Sequence, residues 1–258
     1  MKLFKHLKTA LAAVALLSAA AAAQAAPTLW LSTGSNQLAT VDVATGATSV
    51  VGITNTFMTD IAFSPTGDLY GISFSDLYAI NKLTAVETLI GSLGGVSGTA
   101  NALVFAADGT LYMAGNRLYT VNTGTGATTA VGSGIGFQSA GDLAFVGGDL
   151  YMAASSNQLV QVDTVTGAGS AIGNIGVSGV FGLASADNIT LYGMAGQNVF
   201  TISTANASTG PLVAFTPALG FAAGSAFETE SGATVPEPGS LALVGLALLG
   251  AGALRRRA

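Results

Sequence analysis

Two aspartates occupy matching places in the sequence and are the side chains best suited to chemistry. Asp60 lies three residues before Phe63 and Asp142 lies three residues before Phe145, in each case at the start of a short apolar stretch. A facing pair of carboxylates could bind Ca²⁺ or a sugar, or act as the acid and base of a glycosidase, which requires carboxyl groups about 5 to 9.5 Å apart. Alternatively, the two side chains cap loops or accept hydrogen bonds from backbone N–H groups.

Several other chemistries lack the residues that they need. The chain has no cysteine, and its one histidine, His6, falls within the signal peptide predicted below. Ser-His-Asp and Cys-His nucleophiles are therefore excluded, as are zinc sites built on histidine or cysteine. The glycine-rich stretch 132–136 is not a dinucleotide-binding fingerprint because no helix follows it, and the chain contains no EF-hand loop.

The charge of the central part of the chain excludes some partners. Between residues 26 and 234 only Lys82 and Arg117 are basic, against 12 acidic residues, which gives a formal charge of −10. Nucleic-acid binding requires clustered lysine or arginine, so we predict no nucleic-acid partner. An anionic polysaccharide would also be repelled unless divalent cations bridged it to the protein.

The elements that must position the two aspartates repeat along the chain. Leu-Tyr pairs recur with spacings of 42, 39 and 41 residues, at Leu69-Tyr70, Leu111-Tyr112, Leu150-Tyr151 and Leu191-Tyr192. Leu29-Trp30 stands at the same place one period earlier. Each period contains four short alternating segments separated by glycine-rich or Asp/Asn turns, which is the pattern of a β-propeller blade. One aromatic per blade at a fixed place indicates packing between blades, although a row of sugar-stacking rings is the alternative.

The phase of the repeats at the two ends indicates how the ring closes. The first period lacks an innermost strand before Leu29, whereas an unpartnered copy of that strand, residues 224–227, follows the last period. Placing this copy in the first blade removes the open strand edges that a linear array would leave. We therefore predict an all-β fold, a five-bladed β-propeller over residues 26–228 closed by its C-terminal strand, with a β-sandwich as the alternative.

The N-terminus has the pattern of a secretory signal peptide. Three lysines precede an apolar run over residues 11–17, and small residues lead to Ala25, where small-x-small specificity predicts cleavage. Residues 1–25 are thus predicted to form a signal helix removed by signal peptidase. An uncleaved anchor helix is the alternative, but the apolar run is shorter than the roughly 20 residues that a spanning helix needs.

The C-terminus combines a short motif, an apolar segment and a basic cluster. Pro236, Glu237 and Pro238 precede 14 apolar or glycine positions, 241–254, which are followed by Arg255, Arg256 and Arg257. A helix of that length measures about 21 Å against a hydrocarbon core of about 30 Å, so we predict a short, transient transmembrane helix. The arginines are predicted to stay in the cytoplasm.

The tail over residues 235–258 resembles the PEP-CTERM sorting signal of Gram-negative bacteria in order, spacing and terminal position. The resemblance implies that an exosortase processes the tail at or near Pro236–Pro238 and that the protein is sorted to the cell envelope, outer surface or extracellular matrix. It also implies an association with exopolysaccharide production. An ordinary tail anchor is the alternative. Residues 229–234, a polar stretch, are predicted to form a linker between the propeller and the tail.

These features lead to two functional hypotheses. The first is an exported, non-catalytic propeller that binds or organises matrix material, with exopolysaccharide or a surface protein as its partner. The second is a carbohydrate-active enzyme that uses Asp60 and Asp142. We assign no catalytic residue, cofactor or metal site with the first hypothesis. Ca²⁺-dependent adhesion is a third, weaker idea, because a carboxylate pair can contribute ligands to Ca²⁺.

Overall fold

The computed structural model describes residues 27–96 and 100–232, which form twenty β-strands in five four-stranded antiparallel sheets. Blade 1 consists of β1 (Thr28–Thr33), β2 (Gln37–Asp42), β3 (Thr48–Ile53) and β20 (Ala222–Phe227). Blade 2 consists of β4 (Asp60–Phe63), β5 (Leu69–Ile72), β6 (Asp76–Ile80) and β7 (Glu87–Ser92). Blade 3 consists of β8 (Ala102–Phe105), β9 (Leu111–Ala114), β10 (Leu118–Val121) and β11 (Thr128–Val131). Blade 4 consists of β12 (Ser139–Val146), β13 (Asp149–Ala154), β14 (Gln158–Val162) and β15 (Gly169–Asn174), and blade 5 of β16 (Val180–Ala184), β17 (Leu191–Ala195), β18 (Asn198–Ile202) and β19 (Val213–Ala214).

Local turn chemistry explains why the chain reverses between the outer strands of each blade. The carboxylate of Asp42 accepts hydrogen bonds from the N–H groups of Ala44 and Thr45, both at 2.9 Å, and Gly46 follows with φ +74°. Asp163 makes the same turn three blades later, with Gly167 at φ +70°. Glycine adopts positive φ without strain and stands at this place in blades 1, 3 and 4, whereas Ala85 and Ala207 adopt positive φ there in blades 2 and 5.

The C-terminal strand closes the ring. Strand β20 pairs with β1 in antiparallel register, with Leu29 opposite Phe227 and Leu31 opposite Ser225. The innermost strands β20, β4, β8, β12 and β16 each contact the innermost strands of the two neighbouring blades. The five-bladed, C-terminally closed propeller predicted from the repeats is therefore confirmed, and the β-sandwich alternative is excluded. The predicted signal and tail helices lie outside the described residues.

Aromatic side chains pack each blade against the next one. The ring of Tyr70 in blade 2 lies 5.3 Å from that of Phe105 in blade 3, measured between centroids. Trp30 in blade 1 contacts Phe63 in blade 2 at 5.6 Å in an edge-to-face arrangement. Equivalent pairs join blades 3 and 4 and blades 5 and 1, namely Tyr112–Phe145 at 6.0 Å and Tyr192–Phe227 at 5.3 Å. The recurring Leu-Tyr position therefore supplies blade-to-blade core.

The ring has two distinct ends. We call the end at which the innermost strands begin the entry end, and the end at which they finish the exit end. Because strands alternate in direction, β1 starts at the exit end and β20 finishes there, so both termini of the described propeller lie at that end. Among the described residues no helix is long and apolar enough to cross a bilayer.

The segment that follows β20 is attached to the exit end. Glu228 forms an ion pair with Lys82 of blade 2, and the Thr229 hydroxyl donates to the carbonyl of Ala186 at 2.6 Å. Glu230 accepts a hydrogen bond from the N–H of Ser185 at 3.3 Å. The described part of the predicted linker, residues 229–232, is therefore fastened to the propeller by specific contacts.

Candidate functional site

The five innermost strands bring one residue each to the propeller axis. These corresponding positions hold Asp60, Ala102, Asp142, Gly182 and Gly224. Both aspartates are completely buried. The space around them is narrow: a Cβ on Gly224 would lie 2.4 Å from the Cα of Asp60, and one on Gly182 would lie 2.8 Å from the hydroxyl of Ser225. The narrow axis has room for two carboxylates because the other three positions carry only a methyl group or a hydrogen.

The two carboxylates accept hydrogen bonds from a ring of five backbone amides. In every blade the N–H that follows the axial position points at a carboxylate oxygen. Asp60 receives the amides of Ile61 at 2.8 Å and Leu103 at 2.6 Å. Asp142 receives the amides of Leu143 at 2.7 Å and Leu183 at 2.8 Å. We call this arrangement the axial clamp, because it joins all the innermost strands.

The fifth amide belongs to the closing strand and is shared between the two carboxylates. The N–H of Ser225 lies 3.3 Å from Oδ1 of Asp60 and 3.1 Å from Oδ2 of Asp142. The Ser225 hydroxyl lies 2.9 Å from the same Asp142 oxygen and 3.2 Å from the carbonyl of Leu183. In the other blades this position holds isoleucine or leucine, so the closing strand alone contributes a side-chain donor to the clamp.

Burial changes the protonation of the clamp. Desolvation raises the pKa of Asp60 well above its usual value, and the charge of Asp142 raises it further. Desolvation also raises the pKa of Asp142, against hydrogen bonds from Asp60, the Leu183 amide and Ser225 that favour its ionised form. The two carboxyl groups lie close enough for the same Ser225 amide to donate to both of them. Because both pKa values are raised, the folded clamp retains a proton to a higher pH than the unfolded chain does.

A third acidic group lies near the clamp. Glu230 follows the closing strand and accepts hydrogen bonds from Ser185 and Phe227. Burial of its carboxyl group raises its pKa well above the ordinary value, and the charge of Asp142 adds to the rise. The residue as a whole keeps some exposure at the exit end. Glu230 lies in the segment predicted to be a linker, and no sequence pattern there indicates that its side chain contacts the propeller.

The geometry of the clamp suits a structural role. The side chains of Asp60 and Asp142 are sealed from solvent, and their oxygens accept hydrogen bonds from backbone amides and from the Ser225 hydroxyl. Glycosidases instead hold their carboxyl groups about 5 to 9.5 Å apart around a bound sugar. Calcium requires six to eight oxygen ligands, and the described residues contain no group of three or more acidic or histidine side chains arranged for a metal.

Open depressions on the surface are bordered by the turns of individual blades. One of about 330 Å³ lies on blade 4, bordered by Asp149, Gln161 and Asp163. Another of about 400 Å³ lies on blade 2, bordered by Asp68, Tyr70 and Lys82. Both lie at the exit end, between the two turns of a single blade. The remaining sequence-predicted site residues, Ala25, Pro236 to Pro238 and Arg255 to Arg257, lie outside the described residues.

A methyl group at the axial glycine of the closing strand should disrupt the clamp. Gly224→Ala would place its Cβ 2.2 Å from Oδ1 of Asp60, so β4 and β20 must separate. We expect the free energy of unfolding to fall by about 1–3 kcal/mol, the usual cost of overpacking. Gly94→Ala is the matched control, because a Cβ there meets nothing within 4 Å. Equal urea unfolding curves for the two variants would contradict the close approach of β20 to β4.

The raised pKa values at the axis should make the protein more stable in mild acid than at neutral or alkaline pH. The folded pKa values of Asp60 and Asp142 are raised, so the folded clamp keeps a proton that the unfolded chain releases above about pH 4. This stabilisation is complete below that pH and is lost as the pH rises toward the folded pKa. Linkage predicts a decline of about 1.4 kcal/mol per pH unit for each retained proton.

Urea unfolding between pH 4.5 and 8 measures this slope. Asp60→Asn removes one of the axial titrations and should reduce the slope, while Glu230, whose pKa is also raised, keeps its own contribution. The variant should also lose overall stability because an amide cannot accept on both sides. Asp163→Asn is the control. Backbone hydrogen bonds from Thr166 and Val165 lower the pKa of Asp163, so its titration is complete below this pH range. Stability that rises with pH across the range would disprove a retained proton.

Comparisons with known proteins find separate matches for the tail and for the propeller fold. A family model of the PEP-CTERM protein-sorting motif matches residues 234–257. A search of curated proteins finds no match to the chain. A chain in the structure of a nidogen/laminin complex is 11% identical with a TM-score of 0.56, covering 77% of this chain and 97% of that chain.

A second similar structure, from work on the de novo evolutionary emergence of a symmetrical protein, is 18% identical with a TM-score of 0.51. It covers 76% of this chain and 94% of that chain. At such identities the likeness concerns the fold alone. The sorting motif implies that an exosortase processes the protein and that it is exported to the envelope or surface of a Gram-negative bacterium. The chain is a five-bladed β-propeller that carries a PEP-CTERM protein-sorting motif at its C-terminal end.

Proposed function

We propose that this propeller is a non-catalytic binding module that contacts exopolysaccharide in the extracellular matrix. The observation that supports the proposal is that the axial clamp engages both buried carboxylates, in a chain that also carries a sorting motif. Asp60 and Asp142 are buried and engaged by backbone amides, which leaves the outer surfaces of the propeller to contact a partner. The tail supports delivery of those surfaces to the cell exterior.

The processing steps complete the proposal. Signal peptidase removes residues 1–25 by cleaving after Ala25, and the body crosses the inner membrane. The apolar tail segment then holds the protein transiently in that membrane, with Arg255 to Arg257 in the cytoplasm. An exosortase releases it by processing at or near Pro236–Pro238. The body has a formal charge of −10 before the tail, which favours an uncharged polymer, or a charged one only when cations bridge the two.

The second hypothesis, a carbohydrate-active enzyme acting through Asp60 and Asp142, makes a different prediction for the same polymer. It requires the axis to open, because both carboxylates are sealed from solvent. Ca²⁺-dependent adhesion also predicts a distinct behaviour, since a cation that binds only the folded state must raise its melting temperature. One experiment separates the three.

The exported protein, purified after processing, should co-elute with the host's own exopolysaccharide in size-exclusion chromatography with light scattering. We expect the polymer mass to stay unchanged, with binding that survives a chelator. Shortened polymer would establish an enzyme. The activity of Asp142→Asn, once shown to be folded, would then be compared with that of the wild type. Elution of the protein apart from intact polymer would reject matrix-glycan binding. A surface protein would then be the partner to seek.

Processing of the tail should depend on its acidic and basic residues. We expect Glu237→Gln, or deletion of Arg255 to Arg257, to leave unprocessed precursor in the membrane fraction of the host, because each change removes a charge from the sorting signal. Asp108→Asn, an exposed turn position outside the tail, is the control and should be released normally. Immunoblots of membrane and culture fractions measure the outcome. Normal release of the tail variants would reject exosortase sorting.

A further inference from the structure

The two ends of the propeller differ sharply in charge. The exit end carries Lys82 and eight acidic residues: Asp42, Asp68, Asp108, Asp149, Asp163, Asp187, Glu228 and Glu230. At the entry end, the described connections between strands contain a single charged residue, Arg117, whose guanidinium donates to the carbonyl of Ser133. Two acidic side chains lie beside these connections: Asp76 begins β6, and Glu87 accepts hydrogen bonds from the N–H groups of Asn55 and Thr56. The entry end is thus close to neutral and rich in serine, threonine, asparagine and glutamine.

The aromatic residues most exposed to solvent lie at this neutral end. Within the described residues they are Phe74, Phe181 and Phe221, with 58%, 39% and 51% of their surface accessible. Phe181 directly precedes the axial glycine of blade 5, so it lies where the axis meets the entry end. The rings of Phe181 and Phe221 lie 6.4 Å apart between centroids. Single exposed apolar residues need no explanation, but two exposed aromatic rings side by side form a surface on which a ligand can pack.

The surrounding backbone is shaped to hold this pair at the surface. A Cβ on Gly34 would lie 2.1 Å from the ring of Phe221, so the ring rests on that glycine. A Cβ on Gly141 would lie 2.5 Å from the carbonyl oxygen of Phe181. Any larger residue at either glycine would displace the phenylalanine that it supports. Close contacts therefore hold the ring of Phe221 and the backbone of Phe181 in place.

Polar groups at the same end have unused hydrogen-bonding capacity. Ser139 is 3% exposed, and its hydroxyl has no hydrogen-bond partner among the described residues. The side-chain oxygens of Asn101 and Gln197 are likewise buried without a partner within those residues. Gln197 adjoins the Phe221 loop, because the carbonyl of Gly196 accepts the N–H of Ala222 at 3.2 Å. Buried polar groups are normally paired, and a ligand could reach these sealed atoms only through a bridging water.

The position of the tail leaves the entry end free. Strand β20 runs from the entry end to the exit end, and the chain leaves the propeller at Gly232. Only Ala233 separates that residue from the matched sorting region, and four residues reach Pro236, at most about 14 Å of extended chain. Whatever holds the tail therefore lies next to the exit end, and the entry end is directed away from it.

We propose that the entry end, centred on Phe181 and Phe221, is the binding surface for an uncharged polysaccharide. This inference rests on the function proposed above and assigns its site and ligand class. The apolar C–H face of a pyranose ring packs on an aromatic ring, while its hydroxyl groups bond to amide and hydroxyl side chains. A neutral surface suits a neutral polymer, whereas a charged ligand would leave its charges unpaired there.

Affinity electrophoresis of the exported protein tests this assignment. The probe is the neutral fraction of the host exopolysaccharide, separated from its acidic fraction by anion exchange and cast into the gel. We expect wild-type protein to be retarded by the neutral fraction, and the double variant Phe181→Ala/Phe221→Ala to bind at least tenfold more weakly. Leu83→Ala/Ile189→Ala is the matched control, because both residues are highly exposed and lie in turns of the exit end.

Each outcome decides a different point. Full binding by the double alanine variant would overturn the entry-end site and leave polysaccharide binding intact. Retardation by the acidic fraction alone would overturn the ligand class. Wild-type protein that binds neither fraction would reject the proposed function together with this site. If the double variant also melts at a lower temperature, Phe181→Tyr/Phe221→Tyr keeps both rings and must restore binding for the proposal to hold.

Discussion

The structure depends on five backbone amides that share two carboxylates at the axis. An innermost strand has a partner on one side only, so the N–H groups that face the axis would be buried without acceptors. Asp60 and Asp142 provide those acceptors for all five blades. Unpaired buried amides would each cost about 1–3 kcal/mol, so the clamp determines whether the blades can close into a ring.

The clamp also explains why an otherwise regular repeat is broken at the axis. Five identical blades would place five identical side chains there, and five carboxylates would bring five charges into a buried space. The chain instead uses two aspartates separated by alanine and glycines. Six donors, the five amides and the Ser225 hydroxyl, then face only two carboxyl groups. The unequal side chains at the axis therefore allow five similar blades to close into a ring.

The sequence was sufficient to predict the fold because the relevant signals are local. Period, turn residues and the phase of the terminal repeats follow from residues close together in the chain, and they identified β20 as the closing strand. The approach of Asp60 to Asp142, which lets one Ser225 amide donate to both, could not be predicted in the same way. It depends on the radius of the ring, which the packing of Tyr70 and its counterparts between blades sets. The Ser225 hydroxyl left a signal, as the one polar residue at a position that is otherwise isoleucine or leucine.

Closure by a C-terminal strand has a further consequence for the surface of the molecule. Because β20 completes blade 1 beside β1, the first and last strands are antiparallel neighbours and both ends of the chain leave from the exit end. That end also carries the turn aspartates, since Asp-Gly turn chemistry is used where the innermost and outer strands reverse. The entry end carries the connections between blades and the middle hairpin of each blade, and Phe181 and Phe221 lie there, in β16 and directly before β20. The closing topology therefore places both ends of the described propeller at its acidic end, away from the nearly neutral end.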